Sequence, residues 1–215
     1  MTEPLPLADR VAKDIRDLLI IGALTPGQRL SEAAFSERLD VSRNSLREAF
    51  RLLTKDGLLR HEANRGVFVS VPSTEQIIDI YRVRRMLECG ALRQAWQKHP
   101  SVATMRQAVE HAKKQRELGD WREVGSANMR FHAAVVDLSD SSRLSDFYAR
   151  VAAELRLSFG LLNDPEQLHS PFVDMNDQIL GLVESSKVAE AASQMELYLN
   201  LSERTVLKAL ERAGK

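Results

Sequence analysis

The chain has 215 residues with a single cysteine, and its 30 lysines and arginines are balanced by 30 aspartates and glutamates. One cysteine excludes an internal disulfide, and a formal net charge of zero argues against a general affinity for polyanions. The N-terminal segment lacks the charged and then apolar pattern of a signal peptide, and no apolar run approaches the roughly 20 residues that span a bilayer. We therefore expect a cytoplasmic protein, and the length favours two modules.

The first module has the pattern of short helices joined by a tight turn. Apolar residues recur at helical spacing from Leu7 to Leu19, and a second helix is predicted after Ser31. Ser42 is typical of a helix N-cap and begins a third helix. The polar side chains at the start of that helix are Ser42, Arg43, Asn44, Ser45 and Arg47. A helix-turn-helix protein presents this end of its second helix to base edges, so we interpret these residues as DNA contacts.

A β-hairpin is predicted after the third helix. The segments Leu58 to Glu62 and Val67 to Val71 alternate between apolar and polar residues, and Ala63 to Gly66 supplies the turn. Gly66 can adopt a positive φ, so the tip can approach a phosphate or the minor groove closely. We therefore predict a wing with Arg65 and Gly66 as further DNA contacts. The alternative interpretation of the arginines on the third helix is a solvated face without a ligand. It leaves the order of cap, turn and wing unexplained.

The second module is predicted to be entirely helical. We expect a DNA-binding domain at 1–71, a linker at 72–74 and a six-helix bundle at 75–215. The helical period places helices at about 74–98, 102–118, 121–138, 142–162, 171–184 and 187–212. Helix starts are expected at Ser73, at Asp120, and at Ser170 before Pro171. The predicted fold class is mainly α, with an N-terminal winged helix-turn-helix and a C-terminal six-helix bundle.

Several polar side chains fall on the apolar faces of these helices, namely Arg84, Asn128, His132, Asn176 and Tyr198. Polar groups that face a core need hydrogen-bonding partners or a cavity. Two interpretations stay open, because the residues could satisfy one another or could bind an organic ligand. An inward Arg84 without an evident acidic partner favours an anionic ligand. Glu88, one turn further along the helix, is the residue that could supply such a partner.

Four motifs in the first module resemble the winged helix-turn-helix of GntR-family transcription regulators. They are Leu24-Thr-Pro-Gly-Gln-Arg-Leu-Ser-Glu32, Val41-Ser-Arg-Asn-Ser-Leu-Arg-Glu-Ala49, Asp56-Gly-Leu-Leu59 and Asn64-Arg-Gly66. The resemblance implies that Arg43 and Arg47 read guanines and that Gly66 leads the wing into the minor groove. It also implies backbone or base contacts from Ser42, Asn44 and Ser45. Ala33 and Asp40 stand where many relatives carry Arg and Gly, so we expect a weaker non-specific affinity for DNA.

The second module resembles the FCD effector domain of many GntR regulators, in its shorter VanR-type branch. The matching motifs are Arg84 to Glu88, Asn128-Met-Arg-Phe-His132, Asn176-Asp-Gln-Ile-Leu180 and Met195-Glu-Leu-Tyr-Leu199. Relatives bind a divalent metal with one Asp and three His, at the positions that Asn128, His132, Asn176 and Tyr198 occupy here. Only His132 is retained. Amides and a protonated phenol are poor zinc ligands, so we predict no metal cofactor. His169 is not expected to substitute, because a helix start at Pro171 would hold it outside the pocket.

The two resemblances together imply a homodimeric transcription regulator that binds an inverted-repeat operator and responds to a small organic effector. We expect it to act as a repressor and its effector to be a carboxylate. No membrane partner is expected. The alternative is an enzyme or a metal-binding helical module that carries a DNA-binding domain. An enzyme needs a positioned nucleophile or an acid and base pair. The sequence indicates neither, because His132 lacks an obvious carboxylate partner and Cys89 lacks a basic neighbour. We therefore predict that the chain is not an enzyme.

Overall fold

The computed structural model of the protein describes residues 5–161 and 164–213. The N-terminal module consists of α1 (Leu7–Ile20), β1 (Arg29–Leu30), α2 (Glu32–Arg38), α3 (Arg43–Lys55), β2 (Leu59–Glu62) and β3 (Gly66–Val69). The bundle consists of α4 (Thr74–Arg93), α5 (Pro100–Glu117), α6 (Trp121–Asp137), α7 (Ser142–Phe159), α8 (Pro165–Glu184) and α9 (Val188–Ala213). The predicted fold class is confirmed. None of the described helices is long and apolar enough to cross a membrane.

The wing is a three-stranded antiparallel sheet in the order β1-β3-β2. In the hairpin, Glu62 pairs with Gly66 and Leu59 with Val69, so the predicted strands are confirmed to within two residues. The strand β1 was not predicted, because a strand of two residues is too short to show alternation. It adds Arg29 opposite Phe68 and buries Leu30 under the sheet.

The core of the N-terminal module is built mainly from α1 and α3. Leu46, Phe50 and Leu53 are buried on one face of α3, and they pack with apolar residues of α1 and the sheet. The same core also contains Ala153 and Leu157 of α7. The bundle therefore contributes side chains to the N-terminal core, which the division of the sequence into two modules did not anticipate.

The helix starts of the bundle follow capping chemistry. Ser73 and Gln76 form a capping box at α4, and the Asp120 side chain accepts from the Glu123 amide at α6, as predicted. The predicted start of α8 at residue 171 is wrong. The Asp164 side chain accepts from the Gln167 amide, so α8 begins at Pro165 and Pro171 lies inside it. Both prolines follow a residue that can cap a helix, and local chemistry does not distinguish the two.

Other boundaries shift by a few residues. The helix α4 ends at Arg93 rather than near residue 98. The next helix, α5, begins at Pro100 with His99 as its N-cap. In the bundle, α4 packs along α9 and α5 packs along α6, while α7 packs on both α6 and α1. Large aromatic side chains fill the bundle centre, including Tyr81, Phe131, Tyr148 and Tyr198.

Candidate nucleic-acid interface and buried polar cluster

The N-terminus of α3 is capped, and its first turn is largely exposed. The Ser42 hydroxyl accepts from the Ser45 amide at 3.1 Å, and the two hydroxyls lie 2.9 Å apart. These hydroxyls therefore stabilise the start of the helix, while Arg43 and Asn44 are exposed beside them. An exposed helix N-terminus offers free amide groups and a partial positive charge to a phosphate.

The two arginines predicted to read guanines have different surroundings. The Arg47 Nε donates to Glu32 Oε2 at 2.8 Å, which ties the side chain to the start of α2. No carboxylate among the described residues lies within ion-pair distance of Arg43, and its side chain is exposed. An arginine has five N–H donors, so Arg47 keeps its terminal nitrogens for another acceptor while Glu32 orients it. Both arginines can therefore contact a ligand from the same side of α3.

The turn between α2 and α3 places Asp40 in the left-handed region, with φ of 49°. The Val41 amide closes this turn on the Ser36 carbonyl at 3.0 Å. A glycine would adopt this φ without a steric penalty, which is a physical reason for the Gly that relatives are expected to carry. Aspartate is one of the few other residues that tolerate it, at the cost of an exposed anion next to the start of α3.

The wing tip combines a left-handed turn with stacked cations. Asn64 has φ of 61° and Gly66 has φ of 105°, so the predicted positive φ of Gly66 is confirmed. Arg65 forms an ion pair with Glu62 at 2.6 Å and lies 5.6 Å above the Phe68 ring. Arg60 lies over the same ring at 5.2 Å. The tip is therefore a small cationic surface with its backbone exposed.

Inside the bundle, a buried ion pair lies at the centre of a hydrogen-bonded network. The Arg84 Nε donates to Glu88 Oε1 at 2.7 Å, and both side chains are at most 2% exposed. The Tyr148 hydroxyl donates to the same Glu88 oxygen at 2.9 Å. The His132 Nδ1 lies 2.6 Å from Glu88 Oε2. One carboxylate from α4 therefore binds side chains of α4, α6 and α7.

The network contains one buried positive charge, on Arg84, and one buried negative charge, on Glu88. Burial opposes ionisation of Glu88, but Arg84 and His132 outweigh it and hold the Glu88 pKa at about 2. Burial lowers the pKa of His132, and the Arg84 charge adds to this, although Glu88 opposes it. Near neutral pH the network thus consists of one cation, one anion and a neutral imidazole. The positive charge of Arg84 is already matched inside the protein.

A second set of hydrogen bonds lies next to the His132 ring. The His132 and Tyr198 rings are 4.7 Å apart, and the Tyr198 hydroxyl donates to Asn128 Oδ1 at 2.9 Å. The Asn176 Nδ2 donates to the same oxygen at 2.6 Å. The structure therefore brings all five predicted effector residues together, and we call the whole group the buried cluster, consisting of Arg84, Glu88, Asn128, His132, Tyr148, Asn176 and Tyr198.

Two atoms of the buried cluster have no hydrogen-bonding partner among the described residues, namely His132 Nε2 and Asn176 Oδ1. A carboxylate only accepts, so His132 must carry its proton on Nδ1 to bond with Glu88. Its Nε2 then presents a lone pair. Both unpartnered atoms are acceptors, and a buried acceptor without a donor is unfavourable. A group that donates hydrogen bonds would satisfy both atoms.

The cluster does not fit the metal that relatives are expected to bind. No group of three or more His, Cys, Asp or Glu side chains with metal-site geometry occurs among the described residues. The Asn128 Oδ1 already accepts two hydrogen bonds, and the Tyr198 hydroxyl is a protonated donor whose pKa burial raises further. Among the four positions that bind metal in relatives, which are occupied here by Asn128, His132, Asn176 and Tyr198, only His132 offers a good zinc ligand. The absence of a metal cofactor stays a prediction.

Three expectations from the sequence need correction. Arg84 is not without an acidic partner, because Glu88 pairs with it. His132 does not lack a carboxylate, because the same Glu88 orients its ring. His169 lies within α8 and is 4% exposed, so a helix start at Pro171 does not exclude it from the bundle. The spacing of Arg84 and Glu88 was visible in the sequence, whereas no sequence signal indicated Tyr148.

Comparison with known proteins agrees with this geometry. The family described as bacterial regulatory proteins, gntR family, matches residues 7–69, and the FCD domain matches residues 79–201. The chain belongs to the GntR family of transcriptional regulators, with a C-terminal FCD domain. It is therefore a DNA-binding regulator, and the enzyme alternative is wrong.

Individual relatives cover most of the chain. A solved structure of a transcriptional regulator GntR from Rhodococcus sp. RHA1 is 36% identical, covers 94% of this chain and 98% of its own, and has a TM-score of 0.85. The HTH-type transcriptional repressor RspR of Escherichia coli is 26% identical over 79% of this chain and 77% of its own length. The Nta operon transcriptional regulator of Aminobacter aminovorans is 30% identical over 62% of this chain, and the match spans 64% of that relative.

Proposed function

We propose that this regulator is a homodimeric repressor in the cytoplasm that binds an inverted-repeat operator, and that a small organic effector in the buried cluster changes its operator affinity. The observation that carries the proposal is the capped and exposed N-terminus of α3 with Arg43 beside it. The name of the Escherichia coli relative supports repression.

The geometry of the N-terminal module supports the proposed mode of DNA recognition. The start of α3 enters the major groove, where Arg43 and the terminal nitrogens of Arg47 can each contact a guanine in bidentate fashion. Ser42, Asn44 and Ser45 lie at the same helix end and contact the backbone or bases. Arg65 and Gly66 bring the wing against the phosphates or minor groove. One helix covers only a few base pairs, so two copies on a palindrome give the required specificity.

A second copy of the chain needs an apolar face to bind. The helix α9 exposes Leu197 and Leu201, one turn apart, with 61% and 44% of their surfaces accessible. The neighbouring α4 exposes Met86, which is 80% accessible. We propose this face for the dimer contact. Leu201→Glu should then shift the mass measured by light scattering toward the monomer.

The effector is proposed to be a small organic acid that carries at least one hydroxyl group. Hydroxyl donors suit His132 Nε2 and Asn176 Oδ1, which are acceptors without partners among the described residues. The carboxylate expected from the sequence would approach the terminal nitrogens of Arg84, because its Nε is bonded to Glu88. Asn128 Oδ1 accepts from both Asn176 and Tyr198, so Asn128 fixes the Asn176 side chain and is itself held by Tyr198.

Two helices can transmit this binding to the N-terminal module. The helix α4 carries Arg84 and begins close behind the wing, and α7 carries both Tyr148 and the core residues Ala153 and Leu157. An effector that draws the helices of the cluster together therefore changes the position of the DNA-reading module. Couplings of this kind amount to about 1–3 kcal/mol.

The DNA interface is tested by Arg43→Ala. We expect a loss of about 1–3 kcal/mol in operator affinity, because one bidentate base contact is removed. Fluorescence anisotropy with an operator selected from random DNA measures the loss, and Arg93→Ala, an exposed change at the end of α4, is the control. Wild-type affinity in Arg43→Ala would remove this residue from the base-reading set.

The effector site is tested by Asn176→Ala. A thermal-shift screen of hydroxy acids and their deoxy analogues identifies ligands, and the operator affinity is then measured with each ligand present. We expect Asn176→Ala to lose the response, while Gln178→Ala, exposed on the same helix, keeps it. A full response in Asn176→Ala would place the effector elsewhere.

A further inference from the structure

A cleft lies where the bundle meets the N-terminal module. One wall is the segment after α1 that contains Gly22 and Thr25, and the other includes Trp121, Arg122, Arg156 and His169. Its volume is about 170 Å³. A cavity of roughly 150 Å³ holds a benzene molecule, so this cleft has room for a compact molecule of similar size.

Arg156 of α7 extends into this junction and is only 7% exposed. The guanidinium of Arg156 occupies space that is available because two residues from different parts of the chain, Gly22 and Gly125, have no side chain. A Cβ on Gly22 would lie 2.8 Å from Arg156 Nη2, and a Cβ on Gly125 would lie 2.6 Å from Arg156 Nη1. The guanidinium is therefore enclosed by the backbone of both modules.

The charge of Arg156 is not matched within the part of the chain that the structure describes. Among residues 5–161 and 164–213, Arg156 forms no ion pair with a carboxylate and its guanidinium makes no hydrogen bond. Glu123 raises the pKa of Arg156 only by Coulombic attraction, without an ion pair, and its own Oε2 lies 3.3 Å from His111 and 3.7 Å from Arg130. Burial and the nearby Arg122 lower the Arg156 pKa to about 10, so the group is still a cation at neutral pH.

His169 adds a second donor at the same place. Its ring is 4% exposed and packs against Phe159 at 5.3 Å, and its Nε2 would lie 2.6 Å from a Cβ on Gly125. Burial and the charge of Arg156 lower the His169 pKa to about 3, so the ring is neutral and has one N–H group to donate. The cleft thus combines a buried cation with a neutral donor.

We propose that this cleft binds a compact oxyanion, a small carboxylate or a phosphate, held by Arg156 and His169. An oxyanion supplies the acceptors and the negative charge that a buried arginine requires. Because the walls come from both modules, the bound anion also connects the DNA-reading module to the bundle. The site is separate from the buried cluster, and the proposal stands whether or not an effector binds there.

The test measures thermal unfolding of the full-length protein in sodium phosphate, sodium acetate and sodium chloride at one ionic strength. Phosphate stabilises most proteins by being excluded from their surface, so the informative quantity is the difference between variants. We expect a saturable rise in Tm for the wild type with at least one of the two oxyanions. The same rise is expected for Arg143→Gln, an exposed control on α7, and no saturable rise for Arg156→Met.

The two oxyanions distinguish the sources, since a rise with acetate alone indicates a carboxylate site and a rise with phosphate alone indicates a phosphate site. Equal rises in wild type and Arg156→Met with both anions would overturn the proposal. If Arg156→Met does not fold, titration calorimetry compares the wild type with His169→Phe, which keeps a ring but removes the N–H group. We expect one site per chain with affinity reduced at least tenfold in His169→Phe, and no saturable heat in the wild type would also overturn the proposal.

Discussion

Two buried arginines in this regulator have opposite surroundings. Arg84, at the centre of the bundle, bonds to Glu88 at 2.7 Å, and that carboxylate also binds His132 and Tyr148. Arg156, at the junction with the N-terminal module, has no such partner among the described residues. Both lie deep enough that an unmatched charge is costly. The difference indicates that the charge of Arg84 is matched within the fold before any effector binds, whereas the charge of Arg156 requires a ligand to match it.

The carboxylates of the same two regions repeat this contrast. Glu88 has a pKa of about 2, because Arg84 and His132 outweigh the effect of burial. Glu154 lies on α7 only two residues from Arg156, and its pKa is raised to about 7 by burial and by Asp56 and Asp79. Residues two apart on a helix point about 200° apart, so Glu154 and Arg156 do not face each other. Within the part of the chain that the structure describes, Arg84 and Glu88 are paired inside the bundle, whereas Glu154 and Arg156 at the junction have no ion-pair partner.

The largest effect is expected from removing one partner of the balanced pair. Arg84→Met should lower the free energy of unfolding by about 3–5 kcal/mol, because it leaves Glu88 buried without its cation. Arg156→Met should change it by less than about 1 kcal/mol, or raise it, because no ion pair is lost. Urea denaturation at one protein concentration measures both changes.

The exposed Arg82 on the same helix provides the control, and Arg82→Met should leave the unfolding free energy nearly unchanged. The double variant with Arg84→Met and Glu88→Gln should recover part of the stability, since no uncompensated charge remains. A loss for Arg156→Met as large as that for Arg84→Met would remove the distinction between the two arginines.

A smaller effect is expected from narrowing the space around Arg156. Gly125→Ala places a methyl group 2.6 Å from both Arg156 Nη1 and His169 Nε2, so both side chains must move. We expect a destabilisation of about 1–3 kcal/mol, although alanine favours a helix. Gly181→Ala is the matched control, because nothing lies within 4 Å of its Cβ position in α8, and it should stabilise by about 0.5–1 kcal/mol. A stabilised Gly125→Ala would show that the junction is loosely packed.

The sequence predicted the N-terminal module better than the junction, for a physical reason. The cap at Ser42, the wing turn at Gly66 and the apolar face of α3 depend on residues within a few positions of one another, so their spacing predicts their structure. In the bundle, the inward position of Arg84 and His132 followed from the helical period. Their hydrogen bonds did not, because Tyr148 is 60 residues from Glu88 in sequence.

The junction could not be predicted from local patterns at all. It forms because α7 packs on α1, which places Arg156 next to Gly22 and Gly125, far apart in the sequence. The predicted helix start at Pro171 also concealed His169, since it placed this residue in a loop rather than on the buried side of α8. Tertiary packing, and not local chemistry, creates this site.

The smallest effect concerns the pH dependence of the junction. Glu154 binds its proton more tightly in the folded protein, with a pKa of about 7, than in the unfolded chain, where the usual value is 4.5. Folding therefore takes up a proton between these values, and the contribution of Glu154 to stability is lost as the pH rises from about 4.5 through 7. Solvent reaches part of this side chain, so we expect a loss of roughly 1 kcal/mol rather than the full value of the shift. Glu154→Gln should match the wild type at pH 5 and exceed its unfolding free energy at pH 8, whereas Asp146→Asn, exposed on the same helix, should follow the wild type at both. Among the described residues, Asp56 pairs with Arg16 at 2.8 Å and lies 3.9 Å from Arg150, whereas Glu154 has no ion-pair partner. Equal curves for Glu154→Gln and wild type would show that Glu154 carries no uncompensated charge in the folded protein.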